Sequence, residues 1–236
     1  MPILKHMFSF QTLSFALLGG VFPSLLWLWF WLKQDKKRPE PRGMIMLAFI
    51  IGMIAAPIVL PFEKLADTYF SGTVVIVLWS VLEEIFKYIL AYFIILKRKA
   101  VDEPIDVVIY MITVALGFAA LENTLFLINP IMDGNFMNTV INGNLRFLGA
   151  TLLHTLSSAI VGVMIALSFY KKKIFKKTYA LYGLILAILL HSLFNFFIIK
   201  GSGNKILTIF IFVWIGIIIL ILLFEKVKKI KNKLIK

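Results

Sequence analysis

The sequence predicts an all-α fold: a polytopic bundle of about seven transmembrane helices in a single domain, residues 1–236, with the N-terminus outside and the C-terminus cytoplasmic. Three observations carry this. The chain is 61% hydrophobic with a mean hydropathy of +0.94, where soluble domains are nearer half apolar. Seven apolar windows, at about 13–32, 44–62, 73–96, 105–129, 147–169, 180–199 and 206–224, are each long enough to cross a bilayer or nearly so. Finally, nineteen of the 25 Lys and Arg residues fall on one side of that alternation. They are Lys33 to Arg42, Lys97 to Lys99, Lys171 to Lys177 and the tail from Lys226 to Lys236, and such loops face the cytoplasm.

The same distribution disposes of the function class that a net charge of +13 suggests. Cations spread over alternate loops hold a topology; they do not form a nucleic-acid face, and the basic tail fits an anchor beside anionic lipid. There is no Cys, so thiolate chemistry and disulfides are excluded.

Taken in order, the first window lacks a small-residue cleavage site and ends in Trp27, Trp29 and Trp31. That reads as a retained helix with an aromatic belt at the interface. A charged, Pro-rich turn follows, with Asp35, Pro39, Glu40 and Pro41. Helix two carries Gly52, Pro57 and Pro61, which packed membrane helices tolerate. The stretch after it, with Glu63, Lys64 and Asp67, reads as a loop without a functional signal. Helix three places Glu83, Glu84 and Lys87 in mid-span. Each costs about 2.5–3.5 kcal/mol on insertion scales, and Lys87 can reach either carboxylate along the helix, Glu84 being the expected partner. Helix four holds Glu122 and Asn123 after the small residues Gly117, Ala119 and Ala120, which permit close approach. Residues 130–146 are polar and turn-rich, with Asn135, Asn138, Asn142, Gly143 and Asn144, and read as an external loop. Helix five carries His154, Ser157, Ser158 and Gly162; helix six carries His191 and Asn195, four apart and so on one face. Helix seven has no ionisable residue between 206 and 224 and reads as a lipid-facing strut.

At a rise of about 1.5 Å per residue, Glu83 lies about 15 Å from the outer end of its helix, and Glu122, His154 and His191 about 10–12 Å. Four helices therefore place ionisable groups in one layer of the outer half of the membrane. A buried carboxylate beside two imidazoles can activate water as a general base, and a carboxamide can donate to a developing oxyanion. Glu83, His154 and His191 also match the ligand set of a catalytic zinc site, although no His-Glu-x-x-His spacing is present. From the residues alone the same layer also fits a non-enzymatic proton or ion transporter, or a structural polar network.

The residues Glu83-Glu84-x-x-Lys87, Gly117-Phe118-x-x-x-Glu122-Asn123, His154-x7-Gly162 and His191-x-x-x-Asn195 occur in that order, each on a membrane helix. This set resembles the four motifs of the PrsW intramembrane proteases, and the Asp35…Pro39-Glu40-Pro41 turn resembles that family's N-terminal signature. That family is related to the CAAX prenyl endopeptidases and the bacteriocin-immunity membrane proteins; Glu122 stands where those relatives carry His. The resemblance implies an intramembrane endopeptidase of the bacterial plasma membrane. Its substrate would be a single-pass membrane protein such as a tethered anti-sigma factor, cut near the outer face to start a signalling cascade. Glu83, assisted by Glu84, would take the proton of the attacking water. His154 and His191 would hold that water or a metal, and Asn195 would donate to the oxyanion. Lys87, Glu122 and Asn123 would be supporting groups. Analogy with the prenyl endopeptidases favours a metal-free glutamate mechanism over zinc.

Overall fold

The computed structural model describes residues 10–35, 38–134, 145–200 and 204–231, with 137, 140 and 141 between them. Asn135, Asn138, Asn142, Gly143 and Asn144 of the expected loop, and Lys5, Lys36, Lys37, Lys233 and Lys236, lie outside the described residues. Among those described there are seven helices and no strand. They are α1 (Phe10–Leu32), α2 (Arg42–Tyr69), α3 (Thr73–Ala91), α4 (Pro104–Met132), α5 (Thr151–Leu167), α6 (Lys173–Lys200) and α7 (Asn204–Val227). A π-helical segment, Tyr92–Leu96, continues α3, and another, Arg146–Ala150, leads into α5. Six spans are long and apolar enough to cross a membrane. The remaining helix, α3, is the one that carries Glu83, Glu84 and Lys87 within 19 residues.

The bundle is organised around α4. The most apolar stretch of this helix is 94% buried, and its apolar residues show no preferred side, as expected of a helix enclosed by others. Helices α1, α2 and α5 pack directly on it, α6 and α7 pack against α5, and α3 is held between α2 and α6. Small residues set the closest approaches. A methyl group added at Gly52 of α2 would overlap the carbonyl of Val114, and one at Gly117 of α4 would overlap that of Phe49. The two glycines thus face each other across the α2–α4 crossing, where lipid-embedded helices depend on close packing.

The far end from the site is tied by polar contacts. Pro104 opens α4, and Asp106 in its first turn accepts from the backbone of Asp102 and Glu103 at 2.8 and 2.7 Å, a reciprocal cap. Tyr110 donates to Glu40 of the Pro-rich turn. Burial and the neighbouring Asp106 push the Glu40 carboxyl up to about 8.

Three expectations need correction. Glu63, Lys64 and Asp67 are not in a loop: α2 runs on through Pro61 to Tyr69. Lys173, Lys176 and Lys177 belong to the start of α6 rather than to the preceding loop. The three tryptophans do not form one belt: Trp29 is exposed, whereas Trp31 is buried against Phe224 of α7 at 5.8 Å. Residues 27 and 31 lie about 40° apart and face the neighbouring helices, whereas residue 29 lies about 160° from either and faces outward.

The glycine crossing gives a test. Gly117→Leu should force α2 away from α4 and cost at least the roughly 1–3 kcal/mol of an overpacked core. Thermal unfolding in detergent should show it, with Gly43→Ala, which meets nothing within 4 Å, as the control.

Candidate active site

The ionisable groups of α3, α4, α5 and α6 converge. On α3, Glu84 and Lys87 lie one turn apart and form an ion pair at 2.6 Å, both almost wholly buried. The rest of the site hangs on this pair. The Lys87 ammonium also donates to Nδ1 of His154 at 3.1 Å, and the same Glu84 oxygen accepts from Nδ1–H of His191 at 2.8 Å. The second Glu84 oxygen accepts from Ser158 at 3.4 Å.

These contacts assign the imidazoles. His154 accepts at Nδ1, so its proton is on Nε2 and is donated to Glu122 at 2.8 Å. His191 donates from Nδ1, which leaves Nε2 with a free lone pair. The two rings meet edge to face with centroids 4.9 Å apart. Glu83 Oε2 lies 3.8 Å from His154 Nδ1 and 3.8 Å from His191 Nε2, too far for a direct hydrogen bond and close enough to share one small species. That oxygen is buried and has no hydrogen-bond partner.

The adjacent glutamates are therefore distinct. Glu84 is committed to Lys87, His191 and Ser158, while Glu83 lines a cavity of about 510 Å³. His154, His191, Asn195 and Glu122 line the same cavity. Asn195 donates to Ser80 over a long 3.4 Å, a contact weak enough to be exchanged for a stronger acceptor. Asn123 does not reach the centre; it donates to Thr151 at 2.9 Å and accepts from Arg146, joining α4 to the start of α5.

Two cavity residues carry no signal in the sequence as read above. Arg146, at the end of the stretch read as an external loop, pairs with Glu122 at 2.8 Å and stacks 3.9 Å over the Phe126 ring. Glu63 lines the cavity from α2. The signal that finds Glu63 is the apolar pattern beyond Pro61, where Phe62, Leu65 and Ala66 continue the helix.

Glu83, His154 and His191 each present a donor atom within 4.8 Å of the others, and the chemistry of the set fits a divalent metal. Behind each imidazole stands a carboxylate on its other nitrogen, Glu122 for His154 and Glu84 for His191, the usual support of a ligating histidine. One contact competes with that use: Lys87 on Nδ1 of His154. The ammonium has Glu84 to retain it if that lone pair is required elsewhere.

Six spans packed around a buried carboxylate–imidazole centre that opens into a cavity define an integral membrane protein equipped for chemistry inside the bilayer. Comparison with known proteins narrows the class. Residues 40–223 match the PrsW family of intramembrane metalloproteases. The chain is 28% identical to protease PrsW of Halalkalibacterium halodurans over 95% of its length and 97% of that protein's. It is 29% identical to protease PrsW of Oceanobacillus iheyensis (84% and 90% covered) and 26% identical to that of Bacillus subtilis (85% and 91%). No solved structure is significantly similar. The chain belongs to the PrsW family. It is therefore a peptidase rather than a transporter, and a multi-pass protein of the bacterial plasma membrane.

The ion pair makes a double-mutant prediction. Lys87→Met strands the Glu84 carboxylate and should cost about 3–5 kcal/mol. Adding Glu84→Gln removes the stranded charge and should recover part of that loss, measured by thermal unfolding in one detergent.

Proposed function

We propose that this peptidase cuts a single-pass membrane protein, of the tethered anti-sigma-factor kind, near the outer end of its membrane helix, as the first cut of a bacterial stress-signalling cascade. The observation that supports this most is Glu83 Oε2, a buried, unpartnered carboxylate oxygen at equal distance from two imidazole nitrogens on the wall of a peptide-sized cavity.

The attacking water sits among Glu83, His154 and His191. Glu83 takes its proton, because it is the carboxylate of the centre with an uncommitted oxygen. In the buried site no bulk water competes for that oxygen, so the attacking water is the proton donor within its reach. The amide of Asn195 turns from Ser80 toward the carbonyl oxygen as negative charge develops there. Glu84 and Glu122 each hold one imidazole in a fixed tautomer, and Lys87 locks Glu84. The same proton, passed on by Glu83, neutralises the leaving amine. A divalent ion such as zinc would be held by Glu83, His154 and His191 and, when bound, supplies Lewis-acid activation of the water. Analogy with the prenyl endopeptidases favours water alone, but the carboxylate behind each imidazole favours the ion.

The side of the membrane follows from charge. The basic segments lie at the end of the bundle away from the site, and the positive-inside rule supports a site in the outer half. A regular helix masks its carbonyls in hydrogen bonds, so the bond that reaches Glu83 belongs to a frayed or broken helix end.

Two experiments test this. Co-expression with single-pass membrane reporters should give a cut within a turn or two of the outer helix end, mapped by mass spectrometry. Glu83→Gln should lower its rate by about 10²–10⁴-fold. A cut in the cytoplasmic half, or near-normal cleavage by the variant, would falsify the assignment. Separately, purified wild type should carry about one divalent ion per chain and His191→Ala should lose it. Metal-free protein that cleaves normally returns the chemistry to Glu83 and the imidazoles alone.

A further inference from the structure

We infer that Glu63 forms a subsite for a basic side chain, Lys or Arg, of the substrate beside the scissile bond; this rests on the peptidase reading above. Three carboxylates line the cavity, Glu63, Glu83 and Glu122. Glu122 is claimed by Arg146 and His154, and Glu83 faces the two imidazoles. Glu63 has no hydrogen bond or ion pair with any described residue. The one cationic side chain in the lining, Arg146, is already held by Glu122 and Asn123. The cavity therefore retains an unmatched acceptor, on a helix that spans the membrane.

Glu63 is half-buried six residues before the end of α2 at Tyr69, and its carboxylate, on the cavity wall with no partner in the described chain, is available to a cation that enters. The walls indicate its shape. Val59 and Leu60 precede Glu63 on α2, and Trp79 faces the cavity from α3, one turn before Glu83. Apolar walls suit the aliphatic stem of Lys or Arg, and an aromatic ring attracts its charged end. The indole N–H of Trp79 is buried and has no acceptor. A main-chain carbonyl of an extended substrate segment would complete it, as one arriving beside the basic residue could. A Lys or Arg near the outer end of a substrate helix can reach the interface through its long side chain. That is also the part of the substrate that can unwind into the cavity.

The test is a reporter series with Lys, Gln or Asp at the positions flanking the cut, assayed as kcat/KM with wild type, Glu63→Gln and Glu63→Lys. Wild type should prefer Lys over Gln by about ten-fold or more, with Asp the poorest. The preference should fall to near unity in Glu63→Gln and turn toward Asp in Glu63→Lys. Equal rates for the three reporters with wild type overturn the subsite while leaving the peptidase reading intact, and this outcome needs no variant to fold. A preference that survives both substitutions also overturns it. Failure of wild type to cut any reporter counts against both readings.

Discussion

The ion pair between Glu84 and Lys87 is the constraint from which the site is built. Both groups are almost wholly buried in a medium where a lone charge is expensive, so each must find its hydrogen-bond partners inside the protein. Lys87 spends one donor on Glu84 and one on His154; Glu84 accepts from Lys87, His191 and Ser158. One helical turn of α3 thus reaches α5 twice and α6 once. A hydrophobic substitute for the pair could pack as well, and buried ion pairs are poor sources of stability. What the pair supplies is position: it fixes two imidazoles from two other helices relative to Glu83, which stands next to Glu84 and meets His191 at that ring's other nitrogen.

That arrangement works only because the helices around it are held by something other than charge. In lipid there is no hydrophobic drive between helices, and close packing takes its place. The Gly52–Gly117 crossing seats α2 on α4, and Gly162 of α5 lies against the backbone of Val108 on α4. With α2 and α5 both referenced to α4, the cavity between them acquires a fixed width. Glu122 belongs to that rigid helix, which is why it can orient His154 while its other contact, Arg146, closes the start of α5.

Much of this was legible in the residues. Seven apolar windows became seven helices, and the Glu-Glu-x-x-Lys, Glu-Asn, His and His-x-x-x-Asn elements identified the four helices that converge. A charge in an apolar run is an anomaly that a single sequence displays. The central place of α4 was not displayed in the same way, because a helix apolar on every side reads alike whether it faces lipid or other helices. Trp31 was misplaced for a related reason: in a membrane helix an aromatic side chain serves equally at an interface and in a core. Glu63 and Arg146 escaped because each stands near a helix end, where polar residues are ordinary. Pro61 also disguised the continuation of α2, though Pro is tolerated in such helices. The division of labour between Glu83 and Glu84 depends on which face of α3 meets the cavity. Sequence separation fixes the angle between neighbouring side chains but not the direction of either.

The depth of the centre reflects two opposing requirements. Hydrolysis needs water, whereas the electrostatic strength of a carboxylate, an imidazole pair and an amide donor grows as water is removed. A centre at a helix end would be wet and weak; one beyond the midplane would be strong but more than about 15 Å from the nearer water, over half the thickness of a bilayer core. Glu83, Glu122, His154 and His191 all lie two to three turns from the same end of the bundle, marked by Tyr69, Thr73, Met132, Arg146 and Lys200. At that depth a cavity of about 510 Å³ is large enough to admit water and an unwound peptide segment together. Its apolar walls keep the dielectric low around the polar centre. The same depth limits the substrate, since only residues near a helix end can leave their own hydrogen bonds and still remain within reach. On the proposed reading, selection by position in the membrane precedes selection by side chain, and a subsite at Glu63, on the α2 turns nearest that end, would act second on whatever segment has already unwound.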